Sequence, residues 1–161
     1  MARTYLSLGS NMGDRAANIA RAREGLWKRS IRIARSSSLY ETEPVELREQ
    51  EWFLNSVIEA ETELGPVELL AAALAVERSL GRERRVPKGP RTIDIDVLLY
   101  GDALVHTPEL DVPHPRMAER RFVLVPFAEI APGVVHPVLG KTIGELLAET
   151  ADTSAVRRFP A

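Results

Sequence analysis

The order strand, helix, strand, strand, helix, strand can be read along residues 5–100 and predicts an α+β fold, a ferredoxin-like βαββαβ core with C-terminal additions. Two observations carry this. Segments at Tyr5–Leu8, Ile31–Arg35, Phe53–Thr62 and Asp94–Tyr100 alternate or run apolar with β-branched residues, as strands do. Two segments among them repeat apolar residues at helical spacing. With no internal repeat, linker or low-complexity stretch, a single domain over residues 1–161 is expected.

In chain order, Tyr5-Leu6-Ser7-Leu8 is the first strand, closed by Gly9, and Gly9–Asp14 reads as a turn. Asp14 is placed to cap a helix beginning near Arg15, with an apolar stripe of Ala16, Ile19, Ala20, Ala22, Leu26 and Trp27. Ile31–Arg35 is the second strand, extending toward Tyr40. Thr42–Glu51 is polar, holds Pro44 and reads as a long loop. Phe53–Thr62 is the third strand. Pro66 suits the first turn of a helix through Leu69, Leu70, Ala73, Leu74, Val76 and Leu80, because a proline there forfeits no intrahelical hydrogen bond. The Asp94–Tyr100 strand follows a cationic segment. Beyond it prolines punctuate the chain, short helices are expected near Phe122–Ile130 and Thr142–Glu149, and Asp152–Ala161 is expected to be loosely held.

Composition narrows the function classes. The chain has 45% hydrophobic and 27% charged residues, ordinary for a globular protein, and a formal net charge of −2. A dedicated nucleic-acid binder would be strongly basic, so no nucleic-acid partner is expected. The absence of cysteine excludes disulfides and thiolate chemistry. No stretch approaches the ~18 apolar residues of a membrane span, and the N-terminal apolar run is too short for a signal peptide, so a cytoplasmic protein without a membrane partner is expected.

The chemistry concentrates in Gly89-Pro90-Arg91-Thr92-Ile93-Asp94-Ile95-Asp96. Residues i and i+2 of a strand share a face, so Asp94 and Asp96 stand side by side while Ile93, Ile95 and Val97 point to a core. Two like charges so placed repel, and a cation between them relieves it. Hard oxygen donors suit Mg²⁺, which binds through one or two carboxylates plus substrate phosphates. Just upstream, Glu77–Arg91 holds six Arg or Lys residues, with Gly81, Pro87, Gly89 and Pro90 breaking any helix. Guanidinium forks grip phosphate oxygens bidentately, so a cationic loop running into a carboxylate pair suits a metal–polyphosphate substrate. An acidic solvent-facing strand beside a solvated basic surface is the plain alternative.

Three other features are ambiguous on residues alone. Gly9–Asp14 lacks the Lys-Ser/Thr of a P-loop and reads as a simple turn. Phe53 and Asn55 share a strand face, where a ring and an amide, with Phe122, either stack and read a flat heterocycle or fill a core and tie down a loop. His114, in Val112-Pro113-His114-Pro115-Arg116 with Arg120 and Arg121 close by, either donates to a phosphate or braces a turn.

Taken together, Leu8-Gly9-Ser10-Asn11, Ser38–Pro44, Phe53-Leu54-Asn55, Glu77 with Gly81-Arg82, Gly89–Asp96, Val112–Met117, Arg120–Leu124 and Glu129–Pro132 resemble the 6-hydroxymethyl-7,8-dihydropterin pyrophosphokinases of folate biosynthesis, in order, from about Thr4 to about Glu149. The resemblance implies a monomer that moves a pyrophosphoryl group from ATP to the pterin's hydroxymethyl oxygen, releasing AMP. It implies that Asp94 and Asp96 bind two Mg²⁺ ions and that Arg82 and Arg91 grip the phosphates, with Arg84, His114 and Arg120 assisting. Glu77 and the backbone around Val97 lie near the nucleotide. Thr42, Pro44 and Val45 wall the pterin site, Asn55 reads the pterin's edge, and Phe53 and Phe122 sandwich its ring. The sequence departs from the family at Lys88, where many relatives carry an aromatic residue, at Phe53, where some carry Tyr, and at Glu109 and Asp111, where some place Arg and Thr. Two rivals share part of the pattern: a Mg²⁺-dependent nucleotidyltransferase, which would leave a nucleoside monophosphate on its product, and a non-catalytic binding module, which would not need the acid pair.

Overall fold

The computed structural model describes residues 1–43, 51–81 and 92–160. Strand β1 (Ala2–Ser10) leads into helix α1 (Arg15–Trp27), then β2 (Ile31–Ser36), β3 (Tyr40–Thr42) and β4 (Phe53–Thr62). Helix α2 (Pro66–Ser79) and strand β5 (Asp94–Tyr100) complete the first part. The remainder adds a hairpin of β6 (Val105–His106) and β7 (Asp111–Val112), a 3₁₀ turn at Met117–Glu119, helices α3 (Arg121–Ile130) and α4 (Ile143–Glu149), and strand β8 (Val156–Arg158).

The local signals act as the sequence expects in most places. Asp14 accepts the Ala17 N–H at 3.1 Å and caps α1, and Pro66 stands at the start of α2. Thr142 and Glu145 close a reciprocal capping box on α4, each accepting the other's backbone N–H. Three expectations are corrected. The first strand runs through Gly9 to Ser10, so Gly9 is a strand residue and no part of a turn. The second strand stops at Ser36, and Tyr40–Thr42 is a separate strand. The C-terminal residues are held, since Val156–Arg158 adds a strand to the sheet.

The main sheet has the order β5-β1-β4-β3-β8, and every pairing in it is antiparallel. The outer edge of β4 is shared: β2 pairs along Ile58–Thr62 and β3 along Phe53–Asn55. Side chains alternate across the pleat, so the sheet has two faces of different character. Leu6, Leu8, Ile58, Ile95 and Val97 point to one face and pack under α1 and α2 against Ile19, Leu26, Leu69 and Val76. Tyr5, Val57 and Leu99 point to the other and pack under α3 and α4 against Val123, Leu124, Phe127 and Ile143. A bulge where β5 meets Tyr5 and Leu6 adds one residue to β5, which lets both Leu98 and Leu99 join this second core. Further along the same face toward Ser10, the sheet carries polar residues and glycine in place of a core. Among the described residues no helix is long and apolar enough to cross a membrane.

Candidate active site

The register places two of the predicted residues, Asp94 and Asn55, in one row across the sheet. Asp94 on β5 pairs with Gly9 on β1, Gly9 with Asn55 on β4, and Asn55 with Tyr40 on β3. One pleat along, Asp96 pairs with Ser7. Asp94 and Asp96 therefore share the α3 face, both half-buried, with Ile95 between them turned into the opposite core. Neighbouring strands lie about 4.8 Å apart, so the Asp94 and Asn55 backbones stand roughly 10 Å apart across Gly9. Gly9 lets the Asn55 amide close over the middle of this row: a Cβ there would stand 2.6 Å from Asn55 Oδ1 and 3.5 Å from Phe53 Cδ1.

Asn55 is buried, 4% exposed, and its Nδ2 donates to Thr42 Oγ1 at 2.5 Å. That bond fixes the amide with Oδ1 over Gly9. Thr42, 2% exposed, is thus a support of the amide. Phe53 lies two residues before Asn55 on the same face and is half-buried. Phe122 is in the first turn of α3, half-buried, with the Arg120 guanidinium 5.6 Å from its ring centroid.

His114 stands beside the acids. Its backbone N–H donates to the Leu98 carbonyl at 2.9 Å, which fastens the segment after β7 to β5. Burial pushes its imidazole down to about 4, the Arg120 charge adds to that, and Asp94 opposes it, so the ring is neutral at pH 7. Its Nδ1 accepts the Arg116 N–H at 3.2 Å, which leaves the ring proton on Nε2, a donor suited to a phosphate oxygen. The turn-bracing and phosphate-donating readings of His114 are therefore compatible, one through each nitrogen.

Glu77, in the last turn of α2, is 2% exposed, and its Oε2 accepts the Ile95 N–H at 2.8 Å. The carboxylate grips the outer edge of β5 between the two aspartates. The Val97 side chain is in the helix-covered core, so what it can offer a nucleotide is the backbone of an edge strand. Of the family departures, Asp111 Oδ1 engages His106 Nδ1 across the β6–β7 hairpin. Arg82, Arg84, Arg91, Pro44, Val45 and Lys88 lie outside the described residues.

Two aspartates as the nearest acids fit a hard divalent cation that completes its shell elsewhere. Among the described residues no group of three or more His, Asp or Glu side chains comes together, so an all-protein cage of the kind calcium favours is not built there. Two carboxylates with room for water and phosphate oxygens is the donor set magnesium takes.

The model of the 7,8-dihydro-6-hydroxymethylpterin-pyrophosphokinase family matches residues 5–132. The chain belongs to that family. A 2-amino-4-hydroxy-6-hydroxymethyldihydropteridine pyrophosphokinase of Methylorubrum extorquens is 47% identical over 159 residues, covering 98% of this chain and 99% of that one. The Folic acid synthesis protein fol1 of Pneumocystis carinii is 39% identical over 148 residues, 92% of this chain but only 20% of the longer protein. The crystal structure of wild-type Plasmodium falciparum HPPK-DHPS superposes with a TM-score of 0.73 at 16% identity, over 92% of this chain and 44% of that one. The chain thus spans a fifth of the fungal protein and under half of the plasmodial one. At such low identity the plasmodial likeness shows the fold alone, an α+β architecture.

Two site features escaped sequence reasoning. Gly9 follows a short strand pattern and so suggests a turn, although a glycine within a strand also signals close approach of another group, here the Asn55 amide. Ser7 pairs with Asp96, and nothing in a Leu-Ser-Leu alternation distinguishes it from a solvent-facing serine.

Proposed function

We propose that the chain transfers the pyrophosphoryl group of ATP to the hydroxymethyl group of 6-hydroxymethyl-7,8-dihydropterin, giving AMP and the pterin diphosphate, in folate biosynthesis. The observation that carries this reading is the row Asp94–Gly9–Asn55, which sets an acid pair and a buried amide on one face of the sheet, with Gly9 between them making room for the amide. The family membership supplies the reaction that such a row serves.

The pterin's hydroxymethyl oxygen attacks the β-phosphorus of ATP. The bond from that phosphorus to the oxygen shared with the α-phosphate breaks, and AMP leaves with that oxygen. One of the two aspartates accepts the hydroxyl proton. Asp94 and Asp96 would hold Mg²⁺, two ions by analogy with the family, and its charge would offset that of the triphosphate. His114 donates from Nε2 to a phosphate oxygen, and Arg120 adds its fixed charge nearby. Arg82, Arg84 and Arg91 complete the grip on the phosphates, and Glu77 and the Val97 backbone border the nucleotide. Asn55 reads the pterin edge, Phe53 and Phe122 enclose its ring, and Thr42, Pro44 and Val45 wall it. Holding acceptor and donor in line accounts for much of the acceleration.

We also read the strand order β5-β1-β4-β2, with α1 and α2 on one face, as ferredoxin-like, and residues 1–161 as one domain that works as a monomer in the cytoplasm. Near-complete coverage of the Methylorubrum extorquens protein supports the single domain. The deciding experiment incubates the protein with ATP, Mg²⁺ and 6-hydroxymethyl-7,8-dihydropterin. The expected result is AMP and the pterin diphosphate in equal amounts, with no AMP when the pterin is withheld. A nucleoside monophosphate joined to the pterin would instead mark a nucleotidyltransferase, and no product from folded protein would reject the pterin as acceptor.

A further inference from the structure

The family match ends at residue 132, yet the C-terminal segment beyond α4 is bound at both ends to elements that carry the pterin wall. At one end it meets α3. No side chain caps that helix from the preceding Arg120. Asp152 supplies the missing acceptor from afar, its Oδ2 taking the Arg121 N–H at 2.8 Å, while Arg121 Nη1 donates to the Ser154 carbonyl at 3.1 Å. The Asp152 carboxylate is itself held by Ser154, whose N–H and hydroxyl donate to Oδ1 at 2.9 and 2.5 Å. Phe122 follows Arg121 directly.

At the other end the segment meets β3. Strand β8 pairs Val156 with Thr42, Arg157 with Glu41 and Arg158 with Tyr40. Arg157 donates from Nε and Nη2 to Glu41 Oε1 at 3.1 and 3.0 Å and lies 4.6 Å over the Trp52 ring, the residue next to Phe53. Arg15 takes the other oxygen of Glu41 at 3.0 Å and donates to the Trp52 carbonyl at 2.9 Å. The few residues from Asp152 to Arg158 therefore span from the start of α3 to the edge of β3, a second tie beside the one that Glu129 of α3 makes directly with Ser38 and Tyr40.

We propose that this C-terminal brace sets the width of the pterin site, with Asp152 and Arg157 as positioning residues that act on pterin affinity through α3 and β3 without touching the substrate. The inference rests on the reading of Thr42, Phe53, Asn55 and Phe122 as the pterin wall. Most of the nucleotide side of the site is on β5, at the far edge of the sheet from β8, while Arg120 adjoins Arg121 at the brace. Loosening the brace should separate the two substrates: pterin binding weakens and ATP binding does not.

The test uses the full chain with Asp152→Ala, Arg157→Ala and the double substitution, and Asp152→Asn as the conservative control. The expected result is a pterin KM raised about tenfold in the double variant, which corresponds to about 1.4 kcal/mol, with kcat and the ATP KM within about twofold. Asp152→Asn, which keeps an oxygen for the Arg121 N–H, should recover most of the loss of Asp152→Ala. An unchanged pterin KM, or pterin and ATP KM values rising together with a lowered melting temperature, would overturn the proposal. The single variants, each keeping one anchor, give the same split if the double variant does not fold. Failure of the underlying pyrophosphokinase reading would show separately, as no pterin-dependent AMP from the unaltered protein.

Discussion

A Cβ on Gly9 would stand 2.6 Å from Asn55 Oδ1, nearer than side-chain carbons approach oxygen, so Gly9→Ala must displace a buried amide that Thr42 holds from its other side. The sheet around it is closely packed, and such insertions cost typically 1–3 kcal/mol. The expected outcome is a pterin KM raised about tenfold or more with the ATP KM little changed, read from steady-state kinetics in each substrate. If both constants hold, the Asn55 amide does not contact the pterin. Asp96 calls for the opposite kind of loss. It is half-buried beside Ser7 and belongs to neither apolar core, so Asp96→Ala should leave the melting curve nearly unmoved and lower kcat by about 10²–10³, the usual cost of removing a charge-stabilising group from a transition state. Retention of more than about a tenth of the activity would reject metal ligation by Asp96. These acids, and the Phe53–Asn55 pair, were legible in the sequence because the two-residue alternation of a strand is a local property. Gly9 was not, because what it leaves room for comes from a strand far along the chain.

Among the elements, α1 and α2 announced themselves by period and by Asp14 and Pro66 at their starts, and the four long strands by their apolar runs, whereas β3 and β8 did not. Val156-Arg157-Arg158 has no apolar alternation, and its ladder to β3 is what makes it extended. Charge holds it there. The Arg15 hydrogen bond holds the Glu41 carboxyl below its usual range despite partial burial, with Arg157 assisting. Burial pushes the Glu129 carboxyl up, but hydrogen bonds from Tyr40 and Ser38 and the Arg158 charge carry it below the usual range. Asp152 behaves alike, burial being outweighed by Ser154 and the Arg121 N–H. A carboxylate whose folded pKa is depressed contributes stability that is present above its unfolded pKa and is lost as pH falls through the folded value. The brace should therefore be intact at neutral pH and loosen below about pH 4, near the reference carboxyl values. Amide spectra recorded from pH 6 down to 3 should show Val156–Phe159 leaving the sheet before β1 and β4 do. Simultaneous loss of all three strands would mean that these carboxylates do not govern the attachment.

At the scale of the molecule, one sheet serves two cores, and the site is the part of a face that the second core leaves uncovered. Helices α1 and α2 cover one face, while α3 and α4 cover the other over Tyr5, Val57 and Leu99 and leave Asp94, Gly9 and Asn55 beyond them. The sequence announced the helix-covered strands through their apolar faces but could not show which part of the sheet α3 covers, because that depends on how a helix of ten residues lies across strands it follows by a long, proline-rich path. A site at the rim of a core couples ligand binding to the stability of the whole fold. Ligand bound only by the folded chain stabilises it by RT ln(1 + [L]/Kd), about 2.7 kcal/mol at a hundredfold excess over Kd. For a domain of this size each kcal/mol moves the melting temperature by about 2–4 °C, so ATP with Mg²⁺ should raise it by roughly 5–11 °C. If Asp94 and Asp96 hold the metal, chelating it with EDTA should remove most of that rise. Replacing both residues by Asn should remove the same Mg²⁺-dependent part while leaving the ligand-free melting temperature nearly unchanged. An equal rise with ATP alone, or a Mg²⁺-dependent rise that survives the double substitution, would place the metal away from β5.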